Sequence, residues 1–194
     1  ENLDKVKHIH LIGIGGVSMS AIAETLHHWG YTVTGSDASK SDFTEKLIAS
    51  GIKVTIGHDL TNPRNADIIV YSAAIKPTDP EMVMAKQFNI PLINRGEFVG
   101  FLTRKFKESI CISGTHGKTT TTSMVSLCFL EDDKDPTIQV GAMLKQIDGN
   151  YTVGNSDYFI LEACEYKENF LRFSPKAEII LNIARGTNTL MMGT

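Results

Sequence analysis

Strand-length apolar runs alternate with helix-length segments along this chain, and the alternation twice passes through a glycine loop. The first passage is His8 to Ile12, then Gly13-Ile14-Gly15-Gly16, then a helically spaced stretch from Val17 to Trp29. The second is Ser109-Ile110-Cys111-Ile112, then Ser113-Gly114-Thr115-His116-Gly117-Lys118-Thr119-Thr120, then a segment that reads as helix to about Leu130. This order argues for α/β architecture. In open parallel sheets, ligands bind beyond the carboxyl ends of the strands. Each glycine loop occupies such an end.

The remaining segments fit the same pattern. Tyr31 to Gly35 reads as a strand ending at Ser36-Asp37. Ser41 to Ser50 reads as a helix with Ser41 as N-cap and Gly51 at its end. Lys53 to Ile56 and Leu92-Ile93 read as short strands, and Asp67 to Ser72 as a buried one. Asp79 to Phe88 and Glu97 to Thr103 read as helices, the former with Pro80 in its first turn. Arg104-Lys105-Phe106-Lys107 reads as a solvated connector, which places a domain boundary there: 1–107 and 108–194. Beyond it, Asp157 to Glu162 and Ala177 to Ile183 read as strands, the latter buried.

The second loop carries the sharpest chemistry. Glycines let backbone N–H groups turn around an anion, and a helix N-terminus adds partial positive charge. Lys118 would reach the β/γ-phosphates of a nucleotide and the Thr119 hydroxyl would ligate Mg²⁺. Ile112 stands where the full phosphate-loop pattern has its leading glycine. Glu162 closes a strand, where a carboxylate suits Mg²⁺, and Glu165 and Glu168 follow it. Of the four threonines Thr119 to Thr122, the last two read as packed residues. In the first loop, Ser18 replaces the third glycine of the dinucleotide fingerprint, and Asp37 suits ribose hydroxyls. Ser72-Ala73-Ala74-Ile75 and Asn94-Arg95 would line the same crevice. His8 and His10 alternate along a strand and read as packing or edge residues.

Composition narrows the partners. A net charge of −3 provides no global basic field for nucleic acid. No apolar run approaches the ~20 residues of a membrane span. Cys111, Cys128 and Cys164 are odd in number and far apart, which fits a reduced, cytoplasmic setting. The first residues lack the layout of a signal peptide.

Gly13-Ile14-Gly15-Gly16 with Met19-Ser20, Gly35-Ser36-Asp37, Ser72-Ala73-Ala74-Ile75, Gly114 to Thr120 and Glu162-Ala163-Cys164-Glu165-Tyr166 together resemble the Mur ligase family. The resemblance covers the chain to about Ile183. It implies a Rossmann-like domain holding a UDP-sugar through Gly13, Ile14, Gly15, Gly16, Asp37 and Ser72. It implies a second, phosphate-loop α/β domain that binds ATP through Gly114, Thr115, His116, Gly117, Lys118, Thr119 and Thr120. Lys118 and Glu162 are then the catalytic residues, and Thr119 and Glu162 hold Mg²⁺. Histidine at 116 implies the type that joins L-alanine to UDP-N-acetylmuramate through an acyl phosphate in peptidoglycan synthesis.

The alternatives are a ligase joining a tripeptide to the same sugar nucleotide, a non-catalytic nucleotide-binding module, and a nicotinamide-dependent oxidoreductase resting on the first loop alone. The stretch 184–194 departs from the family's acidic, histidine-containing continuation. The resemblance also implies a third domain for adenine and the amino acid. The chain is therefore expected to be a fragment that binds the UDP-sugar and ligates poorly or not at all.

Overall fold

A computed structural model describes residues 5–58, 60–61, 63–163 and 175–182. The chain divides into two compact units, Glu1–Phe98 and Val99–Thr194. The family-level expectation of a Rossmann-like first domain followed by a second α/β domain holds.

In the first unit, β1 (His8–Ile12), α1 (Val17–His28), β2 (Thr32–Asp37), α2 (Asp42–Ala49), β3 (Lys53–Ile56), β4 (Ile68–Tyr71), α3 (Pro80–Gln87) and β5 (Leu92–Asn94) alternate as expected. The strands form one parallel sheet in the order β3-β2-β1-β4-β5. Ile9, Leu11, Ile69 and Val70 are fully buried at its centre. Such two-sided burial is what turns these strands into near-continuous apolar runs. The chain order reverses at β1, so the loops after β1 and β4 open side by side.

Local chemistry sets the helix starts. Ser41 and Thr44 form a reciprocal capping box on α2, with the Thr44 hydroxyl accepting from the Ser41 N–H at 2.8 Å. The Asp79 carboxylate accepts from the Glu81 N–H at 2.9 Å and Pro80 opens α3. Helix α4 (Arg95–Lys105) begins earlier than its apolar pattern suggests. The Asn94 carboxamide oxygen caps it, accepting from the Glu97 N–H at 3.0 Å. The Asp67 carboxylate ties down the entry to β1 by accepting from the His8 and Lys7 N–H groups at 2.9 and 2.8 Å. Those two bonds, led by that of His8, hold its pKa below the ordinary carboxylate value.

His10 is no ordinary packing residue. It is fully buried, with Nδ1 at 2.8 Å from the Thr34 hydroxyl and Nε2 at 3.2 Å from Glu81 Oε2. The Ser36 hydroxyl donates to the same Glu81 oxygen at 2.8 Å. Glu81, a helix residue with 0% exposure, thus joins α3 to β1 and β2 inside the fold.

The second unit contains β6 (Glu108–Ser113), α5 (Lys118–Glu131), β7 (Thr137–Leu144), β8 (Gly149–Thr152), β9 (Tyr158–Glu162) and β10 (Ala177–Ile180). Their order is β10-β6-β9-β7-β8, with only the β7–β8 pair antiparallel. The hairpin β7–β8 is an addition to the sequence reading. Ile138 and Val140 alternate correctly and are buried, but Gly141 interrupts the pattern before it reaches strand length. β10 is an edge strand with Ile180 60% exposed, where its apolar composition predicts burial. The basic stretch 104–107 is more structured than a solvated connector. Arg104 and Lys105 finish α4, Phe106 is buried with its ring centroid 4.8 Å from that of Phe159, and Lys107 Nζ lies 2.7 Å from Asp157.

Burial on β6 acts on a thiol. The Cys111 thiol is 1% exposed, and burial, assisted by the Glu178 carboxylate opposite it on β10, pushes its pKa from 9.0 up to about 12. The unfolded chain therefore loses this proton first. Stability from this group is complete below pH 9 and is lost as pH rises towards 12. Alkylation of the native protein at pH 8, mapped by peptide mass spectrometry, is expected to modify the exposed Cys128 and spare Cys111. Equal labelling of the two would contradict the buried placement.

Candidate functional site

The loop after β1 is fixed largely by its own backbone. The Gly13 and Ile14 N–H groups both donate to the Ser36 carbonyl, at 2.8 and 3.0 Å. The Gly15 N–H donates to Asp37 Oδ2 at 2.8 Å and the Gly16 N–H to the Gly13 carbonyl at 3.3 Å. Ile14 is fully buried, so its side chain belongs to the core. Ser72, beyond β4, approaches from the other side: a Cβ added to Gly13 would stand 3.2 Å from its own. Gly13, Ile14, Gly15, Gly16, Asp37 and Ser72 therefore meet at the carboxyl end of the first sheet. With the loop amides engaged internally, an incoming diphosphate would face the first turn of α1. Gly16 caps that turn without a side-chain acceptor, and no acid lies within it.

The second site is the loop between β6 and α5, again where the strand order reverses. Gly117 is the N-cap of α5 and supplies no side-chain acceptor to its first turn. Lys118 opens the helix, and its ammonium bends back to donate to the Gly114 carbonyl at 2.6 Å and the Thr115 carbonyl at 3.4 Å. The Thr119 hydroxyl donates to Glu162 Oε1 at 3.0 Å, so the strand-end acid of β9 and the loop threonine converge from positions 43 residues apart. The other carboxylate oxygen, Oε2, accepts from the Gly141 N–H at 2.7 Å. Two hard oxygens side by side at a strand end fit a cation such as Mg²⁺ that keeps several waters.

Nothing in the sequence around Gly141 signals its role, which depends on its place in β7 beside Glu162. A Cβ there would fall 2.6 Å from Glu162 Oε2, so only glycine allows the carboxylate its place. Thr122 is fully buried and donates to the Lys118 carbonyl at 2.8 Å, a packed position as its place in the run suggests. Cys164, Glu165 and Glu168 lie outside the described residues.

A family model described as Mur ligase family, catalytic domain, matches residues 8–107. A UDP-N-acetylmuramate–L-alanine ligase of Clostridium botulinum is 54% identical over 180 residues, spanning 93% of this chain and 39% of the relative. The protein of the same name from Acetivibrio thermocellus is 49% identical over 180 residues, spanning 93% of this chain and 38% of its own. The crystal structure of UDP-N-acetylmuramate-alanine ligase from Thermotoga maritima matches with a TM-score of 0.84 and 36% identity, covering 93% of this chain and 42% of that one. UDP-N-acetylmuramate:L-alanyl-gamma-D-glutamyl-meso-diaminopimelate ligase from Neisseria meningitides matches with a TM-score of 0.82 and 25% identity, covering 92% and 61%. The chain spans about two fifths of the length of the curated relatives it matches.

Proposed function

Because this chain belongs to the Mur ligase family, we propose that it carries the UDP-sugar and ATP-phosphate sites of a ligase joining L-alanine to UDP-N-acetylmuramate. The activity is that of a protein of the relatives' length, in the bacterial cytoplasm and in peptidoglycan synthesis. The observation that supports this reading most is the meeting of Lys118, Thr119 and Glu162 at the mouth of the second sheet. The higher identity to the alanine-adding relatives than to the peptide-adding structure favours the choice of amino acid.

The proposed reaction runs in two steps. The muramyl carboxylate attacks the γ-phosphate of ATP, giving an acyl phosphate and ADP. The alanine amine then attacks the acyl carbon, and phosphate leaves. The main task of such a site is to align the in-line attack and offset charge on the transferring group. Lys118 supplies a fixed positive charge beside the γ-phosphate. Gly114, Thr115, His116, Gly117 and Thr120 shape the cradle, and Gly141 keeps the Glu162 carboxylate turned towards Thr119. Mg²⁺, held by Thr119 and Glu162, would supply charge neutralisation on the phosphate oxygens. Gly13, Ile14, Gly15, Gly16, Asp37 and Ser72 seat the UDP moiety at the other sheet.

Titration calorimetry of this chain separates the ligase reading from an oxidoreductase. Saturable heat is expected with UDP-N-acetylmuramate and none with NAD. The reverse pattern would overturn the proposal.

A further inference from the structure

The two arms of the phosphate loop face different partners. On the downstream arm, Gly117 caps α5 and Lys118 to Thr120 form its first turn. On the upstream arm, the Thr115 N–H donates to the Asn182 main-chain carbonyl at 3.2 Å. The His116 N–H donates to Asn182 Oδ1 at 3.0 Å, and Asn182 Nδ2 donates to the His116 carbonyl at 2.9 Å. A carboxamide in this reciprocal pairing imitates a strand neighbour: it satisfies one donor and one acceptor of a single residue at once.

The connection begins one step earlier, where the Leu181 N–H donates to the Ser113 carbonyl at 3.0 Å, so the pairing of β10 with β6 runs on into the loop. Gly114 allows that approach. Its φ is +140°, and a Cβ there would stand 3.1 Å from Leu181 Cβ and 3.2 Å from the Asn182 nitrogen.

We propose that Asn182 is a positioning residue of the phosphate loop, holding its upstream arm so that anion binding falls to the amides and side chains from Gly117 onwards. The proposal rests on the phosphate-loop reading above. It changes the roles within the cradle: the Thr115 and His116 N–H groups serve Asn182, two residues past the end of β10, and their residues shape the loop without donating to phosphate. An arm left unpinned would have to be ordered during binding, at a cost to affinity.

Two measurements on Asn182→Ala and Asn182→Asp test this. Amide exchange by NMR reads the clamp itself, with no ligand needed. In Asn182→Ala the His116 amide is expected to exchange faster, while the Thr115 amide, bonded to the main chain of residue 182, keeps its protection. Faster exchange of both amides would mean general loosening, and no change at either would mean no side-chain clamp; each result overturns the proposal.

The second measurement is Mg-ATP affinity by calorimetry, made on the same variants in a ligase of the relatives' length, where the adenine site implied by the resemblance is present. Losing the clamp is expected to weaken binding by roughly three- to tenfold, the scale of one or two neutral hydrogen bonds. Asn182→Asp, which lacks the donor to the His116 carbonyl, should fall in the same direction. Undiminished affinity in both variants sinks the positioning role alone. No Mg-ATP binding by the unaltered protein sinks the phosphate-loop reading and the positioning role with it, even with His116 protection intact.

Discussion

Replacing Lys118 by alanine in a ligase of the relatives' length is expected to lower kcat for ATP-dependent ligation by on the order of 10²–10³-fold. The fold of the second unit should survive. The Lys118 ammonium donates to the Gly114 and Thr115 carbonyls, which lie in a half-exposed loop where water can replace it once the side chain is removed. A triphosphate offers the same ammonium acceptors that are themselves negatively charged, so direct charge–charge attraction is added to each bond. The difference grows as the γ-phosphoryl group leaves ADP and its charge redistributes, so the loss belongs mainly to kcat and less to KM for ATP. Lys118→Met separates charge from bulk: it keeps most of the stem and should be almost as inactive as the alanine variant. Steady-state phosphate release would measure both. Activity of either variant within threefold of the parent would remove Lys118 from the chemistry.

That lysine was legible because its context is local: an apolar strand, a glycine turn and a helix start lie within about a dozen residues. The same holds for the caps at Ser41 and Asp79 and for the first glycine loop. Features that depend on distant partners were not legible in this way. Glu81 reads as an ordinary first-turn acid of α3, and nothing nearby signals that its partners are His10 and Ser36, 71 and 45 residues away. Gly141 lacks meaning until β7 is recognised, and β7 is hidden because its apolar alternation stops at that glycine. β10 is less buried than its sequence suggests. Ile179 and Ile180 suggest a central strand, but an edge position depends on strand order, which composition does not carry. Asn182 is the same kind of case, a single polar residue after a strand whose pairing with residue 116 appears only when β10 lies beside β6.

Glu81 carries the largest stability prediction. Its side chain and that of His10 are both 0% exposed, and its Oε2 accepts from the Ser36 hydroxyl as well as facing His10 Nε2. Truncation to alanine leaves the imidazole and the hydroxyl buried without that acceptor. Leaving a buried donor without its acceptor costs about 1–3 kcal/mol for each group, more than the bond itself contributes, because the remaining partner stays desolvated. The single tryptophan, Trp29, follows α1 in the first unit and reports its unfolding by fluorescence in urea, separately from the second unit. Glu81→Ala is expected to move that midpoint down strongly. Glu81→Gln, which keeps the shape and an acceptor oxygen, should move it less. A His10→Leu, Glu81→Met double variant should be less damaged than the sum of its singles, since it removes the imidazole that loss of Glu81 alone would orphan and leaves only the Ser36 hydroxyl without that acceptor. The consequence extends to the first glycine loop. Ser36, held by Glu81 through its hydroxyl, offers its carbonyl to the Gly13 and Ile14 N–H groups. Loss of Glu81 should therefore weaken UDP-N-acetylmuramate binding even under conditions where the unit remains folded. An unmoved urea midpoint for Glu81→Ala would show that the buried network contributes no net stability, and simple additivity in the double variant would show that His10 and Glu81 are not coupled.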